Sequence, residues 1–190
     1  MNKNADYAIG LKVRKLNPGE EIDEGCTKFY GRPTLPDSLV NKYPENYIFF
    51  LQIRCADLKD LDPENRLPHQ GYLYFFIDSY DLSIRLDYTL DEPKYLIDNF
   101  NSLTEFGEEL CDVYVVELEG VDKYYTGTKL LGYPSNYVDE HDDKPSMLLQ
   151  YDPLEFDVPF LATCDGYAFV FFGETKKTKF SNAFFEVVNS

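Results

Sequence analysis

Two glutamines stand at the ends of short apolar runs, Gln52 after Phe50-Leu51 and Gln150 after Leu148-Leu149. A primary amide carries two N–H donors and a carbonyl acceptor, and a buried one must find partners for them. Two uses fit Gln52 and Gln150. They line a small-ligand cleft between two halves of the chain, or each ties down the backbone of a nearby turn. The run Asp139-Glu140-His141-Asp142-Asp143 offers carboxylate oxygens for a hard cation. It lacks the D-x-D-x-D-G spacing, and consecutive side chains cannot all converge on one ion. It reads as a solvated loop or as a contact for a basic partner. Asp57, Asp60, Asp62 and Glu64 form a second acidic group without a calcium-loop glycine. No metal site and no cofactor is expected.

Nucleophilic chemistry finds little support. The two histidines are His69, beside a turn, and His141, inside the acidic run. No G-x-S-x-G, H-E-x-x-H or glycine-rich phosphate loop occurs, so no catalytic residue is assigned. The cysteines Cys26, Cys55, Cys111 and Cys164 are far apart, without a C-x-x-C, and read as ordinary buried thiols rather than zinc ligands.

Tyrosines are the other candidates. Tyr124, Tyr125, Tyr133 and Tyr137 surround one turn in the acidic half of the chain. Tyrosine is enriched at protein interfaces, because its ring is apolar and its hydroxyl tolerates water. The same side chains could equally cap the edge of a core. The formal charge of −16 is uneven: residues 1–95 carry a net −4 and residues 96–190 a net −12. Such a polyanion repels nucleic-acid phosphate and anionic membrane surfaces, and attracts basic proteins. The expected interface is therefore Tyr124, Tyr125, Tyr133 and Tyr137 with Asp139, Glu140, Asp142 and Asp143, and the expected partner is a basic protein. The start of the chain is polar, and no apolar stretch is long enough to span a membrane, so the expected compartment is the cytoplasm.

What positions these residues is an imperfect internal repeat. Lys28-Phe29-Tyr30-Gly31-Arg32-Pro33 matches Lys129-Leu130-Leu131-Gly132-Tyr133-Pro134. Phe50-Leu51-Gln52 matches Leu148-Leu149-Gln150, and Gly71 to Phe76 matches Gly166 to Phe171. The first block reads as a turn, since glycine takes positive φ and proline fixes φ. The second and third read as buried strands. Further strands are expected over Asp81–Tyr88, Asp112–Leu118 and Asn182–Val188. Apolar residues at Leu96, Ile97, Phe100 and Leu103 have the spacing of a helix face, behind a first-turn Pro93, and predict a helix over Lys94–Leu103. One helical turn is expected over Asp37–Lys42. The expected fold is a β-rich α+β single domain over residues 1–190, with mostly antiparallel sheet. Its repeats cover about 28–78 and 129–188, joined by an acidic connection over 79–128.

These blocks resemble the YwqG-like family of bacterial proteins of unknown function. The resemblance rests on Lys28 to Pro36, Phe50 to Ile53, Leu67 to Phe76, Leu131 to Pro134 and Met147 to Asp152. Departures include Tyr30-Gly31 in place of a double glycine and Tyr43-Pro44 in place of Trp-Pro. The resemblance implies a duplicated α+β fold and no established activity. It suggests an immunity-type inhibitor of a basic toxin; a small-ligand sensor or enzyme is the alternative.

Overall fold

Residues that alternate aromatic, aliphatic and β-branched side chains form strands here, and strands make nearly all of the regular structure. The computed structural model describes residues 4–42, 47–78, 80–97, 110–136, 146–158, 166–172 and 183–188. Their strands are β1 (Ala8–Lys15), β2 (Lys28–Phe29), β3 (Thr34–Leu35), β4 (Tyr47–Arg54), β5 (Tyr72–Asp78) and β6 (Ile84–Thr89). Then follow β7 (Tyr95–Leu96), β8 (Tyr114–Val121), β9 (Lys129–Leu130), β10 (Met147–Tyr151), β11 (Tyr167–Phe171) and β12 (Phe184–Val188).

The chain divides into two compact units. A central unit, Val13–Glu117, carries the strand order β8-β2-β4-β5-β6 and a separate β3-β7 pair. A terminal unit, Met1–Lys12 with Leu118–Ser190, carries β12-β11-β10-β9-β1. The chain passes from one unit to the other within β1 and within β8.

In the central unit β4 and β5 are buried on both faces, which is why they read as nearly continuous apolar runs. One face packs Tyr47, Phe49, Tyr72, Tyr74 and Phe76 beneath Leu35 and Leu39. In the middle of β4, Phe50 meets Phe29 edge-on at 5.4 Å and Tyr30 at 5.6 Å. Tyr30 in turn meets Tyr114 at 6.2 Å. Each fully buried ring contributes roughly 2–3 kcal/mol. In the terminal unit Met147, Phe169 and Phe171 cluster, and Tyr151 stacks on Phe156 at 4.6 Å.

The α+β expectation is corrected: the described residues contain only strands and two short 3-10 turns, Cys55–Leu58 and Pro153–Glu155. The expected helix over Lys94–Leu103 fails at its start. Tyr95–Leu96 pairs antiparallel with Thr34–Leu35, and the Lys94 and Ile97 amides donate to Leu35 O and Pro33 O. A short helical stripe gains little by itself, because nucleating a helix is unfavourable and most helical stability comes from packing. Here a partner strand satisfies the same backbone. The rest of that predicted helix, from residue 98, lies outside the described residues. Over Asp37–Lys42 the chain makes two successive i→i+3 turns, Leu39 N to Pro36 O and Lys42 N to Leu39 O. β1 was not anticipated, although Ala8, Ile9 and Leu11 bury its first half. Cys55 is buried and Cys26 half-buried, but Cys111 is exposed, against the reading of the cysteines as buried, and Cys164 lies outside the described residues. Among the described residues no helix is long and apolar enough to cross a membrane.

The matching blocks carry the same local structure in each unit. Tyr30-Gly31 and Leu131-Gly132 each place two successive residues at positive φ, 55° and 67° against 61° and 75°. Tyr30 N donates to Phe50 O, and Leu131 N donates to Leu148 O. Thr27 Oγ1 accepts from Arg54 N as Thr128 Oγ1 accepts from Asp152 N. The irregularity in β4 between Phe49 and Leu51 recurs in β10 between Met147 and Leu149. Gly71, at φ 74°, closes the turn before β5, and a Cβ there would lie 2.1 Å from Thr89 O. Gly71→Ala therefore forces backbone to move and is expected to destabilise by about 2 kcal/mol in urea unfolding.

Candidate functional site

The site is built from a lysine that the sequence hides in a turn motif. Lys129 lies on β9, opposite Gly10 of β1 and Gln150 of β10, and is fully buried. Its ammonium donates to three backbone carbonyls: Lys123 O at 3.2 Å, Tyr133 O at 2.7 Å, and Tyr125 O. Burial pushes Lys129 down to about 8, with the Asp122 charge opposing the shift, so the group is charged at neutral pH. Only an ammonium has three hydrogens for three acceptors.

Gln150, also fully buried, completes the anchor. Its Nε2 donates to Thr126 O and Gly127 O, and its Oε1 accepts from Ser135 N at 2.8 Å. Lysine and glutamine together tie the stretch before β9 to the turn after it. Both segments carry the tyrosines.

On the outside of that anchor, Tyr124 is 61% exposed and its ring lies 5.2 Å from the half-buried Tyr133. Lys123 Nζ sits 5.4 Å from both ring centres and is paired with Asp6 at 2.8 Å. Asp122 Oδ1 accepts from Tyr124 N, fixing the turn. Tyr125 is half-buried and packs against Gly127, where a Cβ would lie 2.6 Å from its hydroxyl. Burial raises its phenol, and Glu155 and Glu119 add to that. Among the described residues of the terminal unit, the surface cations are Lys12 and Lys123, and each is in an ion pair, with Glu119 and Asp6. Asp122, Asp152 and Glu155 each accept a hydrogen bond from a backbone N–H group, of Tyr124, Leu154 and Thr128. The surface around the two rings is therefore acidic.

The structure thus brings together Tyr124, Tyr125, Tyr133 and Gln150 of the expected site residues. Tyr137, Asp139, Glu140, Asp142 and Asp143 lie outside the described residues, as does His141. Gln52 lies in the central unit, where its Nε2 donates to Glu24 O and Cys26 O, each at 3.1 Å. Both glutamines therefore spend their donors on backbone within their own unit. In the second acidic group, Asp62 is buried and accepts from Arg66 N, Leu67 N and His69 Nε2, so it organises its own loop. Arg54 spans Asp57 and Asp23 at the surface.

Sequence reading missed both repeat lysines, Lys129 and its counterpart Lys28. The available signal was a lysine at the same place in both turn blocks, one strand away from each glutamine. Lys28 is 3% exposed and directly opposite Gln52. A repeated lysine next to an apolar run suggests a buried, caged ammonium.

The comparisons with known proteins reach only part of the chain. Residues 27–97 match the model of a domain of unknown function (DUF1963). That stretch runs from the residue before β2 to just past β7, so it lies in the central unit and holds Lys28 and Gln52. No curated protein matches the chain.

Proposed function

We propose that this chain is a protein-binding module that docks a basic protein through the acidic, tyrosine-bearing face of its terminal unit. The observation that carries this reading is the Tyr124–Tyr133 pair, held in place from beneath by Lys129 and Gln150. An exposed aromatic on an anchored loop loses little entropy on binding, which is the property of interface anchors. Surrounding carboxylates steer a cationic partner and raise its association rate at low salt. Because both glutamine amides donate to backbone in their own unit, they favour this reading over a glutamine-lined ligand cleft. In its sharpest form the chain is a divergent YwqG-like protein of the cytoplasm, acting as an immunity-type inhibitor of a basic toxin.

The test is capture of partners by the tagged protein at low and high salt, identification by mass spectrometry, and binding kinetics on the purified pair. A basic partner with a salt-sensitive association rate is expected. Tyr124→Ala is expected to weaken that complex about 30-fold, the effect of an interface hot spot of about 2 kcal/mol, with unchanged unfolding. A complex indifferent to both salt and Tyr124→Ala would sink the proposal.

A further inference from the structure

The two lysine–glutamine pairs are equivalent in position and unequal in satisfaction. In the terminal unit Lys129 has three carbonyl acceptors and both ends of the Gln150 amide are used. In the central unit Lys28 makes, among the described residues, one long hydrogen bond of 3.5 Å, to Thr34 Oγ1. Gln52 Oε1 is buried and has no hydrogen-bond partner among the described residues. Its orientation is set, because Nε2 is held by Glu24 O and Cys26 O. Lys28 and Gln52 face each other on neighbouring strands, so their side chains share one face of the sheet. Tyr74, opposite Gln52 on the other side, donates its hydroxyl hydrogen to Thr34 O and so has none left for Gln52 Oε1.

A buried ammonium short of acceptors and a buried carbonyl short of a donor, side by side, are each costly to a fold. The other half of the molecule shows that the same motif can satisfy both from its own backbone. We infer that the Lys28–Gln52 pair is a binding site for a small oxyanion that keeps one O–H, the class of which bicarbonate is the plainest member. The anionic oxygens accept from Lys28 Nζ and Thr34 Oγ1, and the remaining O–H donates to Gln52 Oε1. Burial lowers the Lys28 ammonium from the ordinary lysine range, with Cys26 and Glu24 opposing and Arg32 assisting, and a bound anion would reverse that shift. Both side chains are nearly fully buried, Lys28 at 3% and Gln52 at 0% exposure. This site belongs to the central unit and would place a small-molecule response in the stretch that matches the domain of unknown function.

The experiment compares sodium bicarbonate with sodium nitrate, at matched pH and ionic strength, on the full chain. Both are planar monoanions of similar size, and only bicarbonate has an O–H. Thermal unfolding and the Gln52 side-chain amide resonances are followed as either salt is raised to tens of millimolar. Bicarbonate is expected to raise the melting temperature saturably and to shift the Gln52 amide signals, and nitrate to do neither. Lys28→Met is expected to stay folded and to lose the bicarbonate response. Equal effects of the two anions, no effect of bicarbonate on the wild-type protein, or a response that persists in a folded Lys28→Met would each overturn the site. The comparison of anions on the wild-type protein decides the matter even if the variant does not fold.

Discussion

Lys129→Met is expected to destabilise the protein by about 4 kcal/mol, because hydrogen bonds from a charged donor contribute about 1.5–3 kcal/mol each and their acceptors stay partly buried when it is removed. Methionine matches the length of the lysine stem, so lost packing is small. The deficit comes from Lys123 O, Tyr125 O and Tyr133 O, which lose their shared donor. Lys123 O keeps Tyr133 N as a partner at 2.9 Å, and this places the estimate below a simple sum. Urea unfolding should show the midpoint fall at unchanged m-value, and the melting temperature should drop by about 10 °C. The matching change in the other repeat, Lys28→Met, should be neutral or slightly stabilising without added anion. It removes a buried ammonium that makes, among the described residues, one long bond. Similar losses from both substitutions would mean that Lys28 is caged as Lys129 is.

Gln150→Leu is expected to cost about 4 kcal/mol and to loosen the tyrosine loops together. It leaves Gly127 O and Ser135 N buried, and Thr126 O partly buried, without the amide that joins them, and a buried group left so carries a penalty of about 1–3 kcal/mol. Hydrogen exchange should rise at Ser135, whose N–H is the group that Gln150 Oε1 accepts from. Gln52→Leu removes two hydrogen bonds but also an unsatisfied carbonyl, and should cost about 1–2 kcal/mol. Equal losses at the two glutamines would show that Gln52 Oε1 has a protein partner in solution. Gln150→Leu and Lys129→Met hold the same loops, so combining them should cost less than the two separate losses added.

The repeat blocks carried much of this into the sequence. A glycine–proline turn, an apolar strand ending in glutamine and a glycine-led aromatic strand are local patterns, and each unit shows them with the same turn geometry and the same backbone hydrogen bonds. β1 stayed hidden because its second half, Lys12 to Lys15, is polar and largely exposed, which blurs the strand signal. The helix expected from Lys94 went wrong because periodicity describes one face of a segment and says nothing of a partner strand such as Thr34–Leu35.

The candidate sites divide the same way. Residue types determined that glutamines at apolar strand ends would be buried and need partners, and that tyrosines near the second turn would sit in acidic surroundings. Tertiary structure decided which partners they have. Lys129 and Lys28 occupy the same place in nearly the same motif, yet one is caged by carbonyls from Lys123, Tyr125 and Tyr133 and the other meets a threonine hydroxyl. That difference lies in the path of the backbone on either side of β9 and β2. A carbonyl oxygen belongs to every residue alike, so its position is set by backbone conformation and is invisible in residue identity.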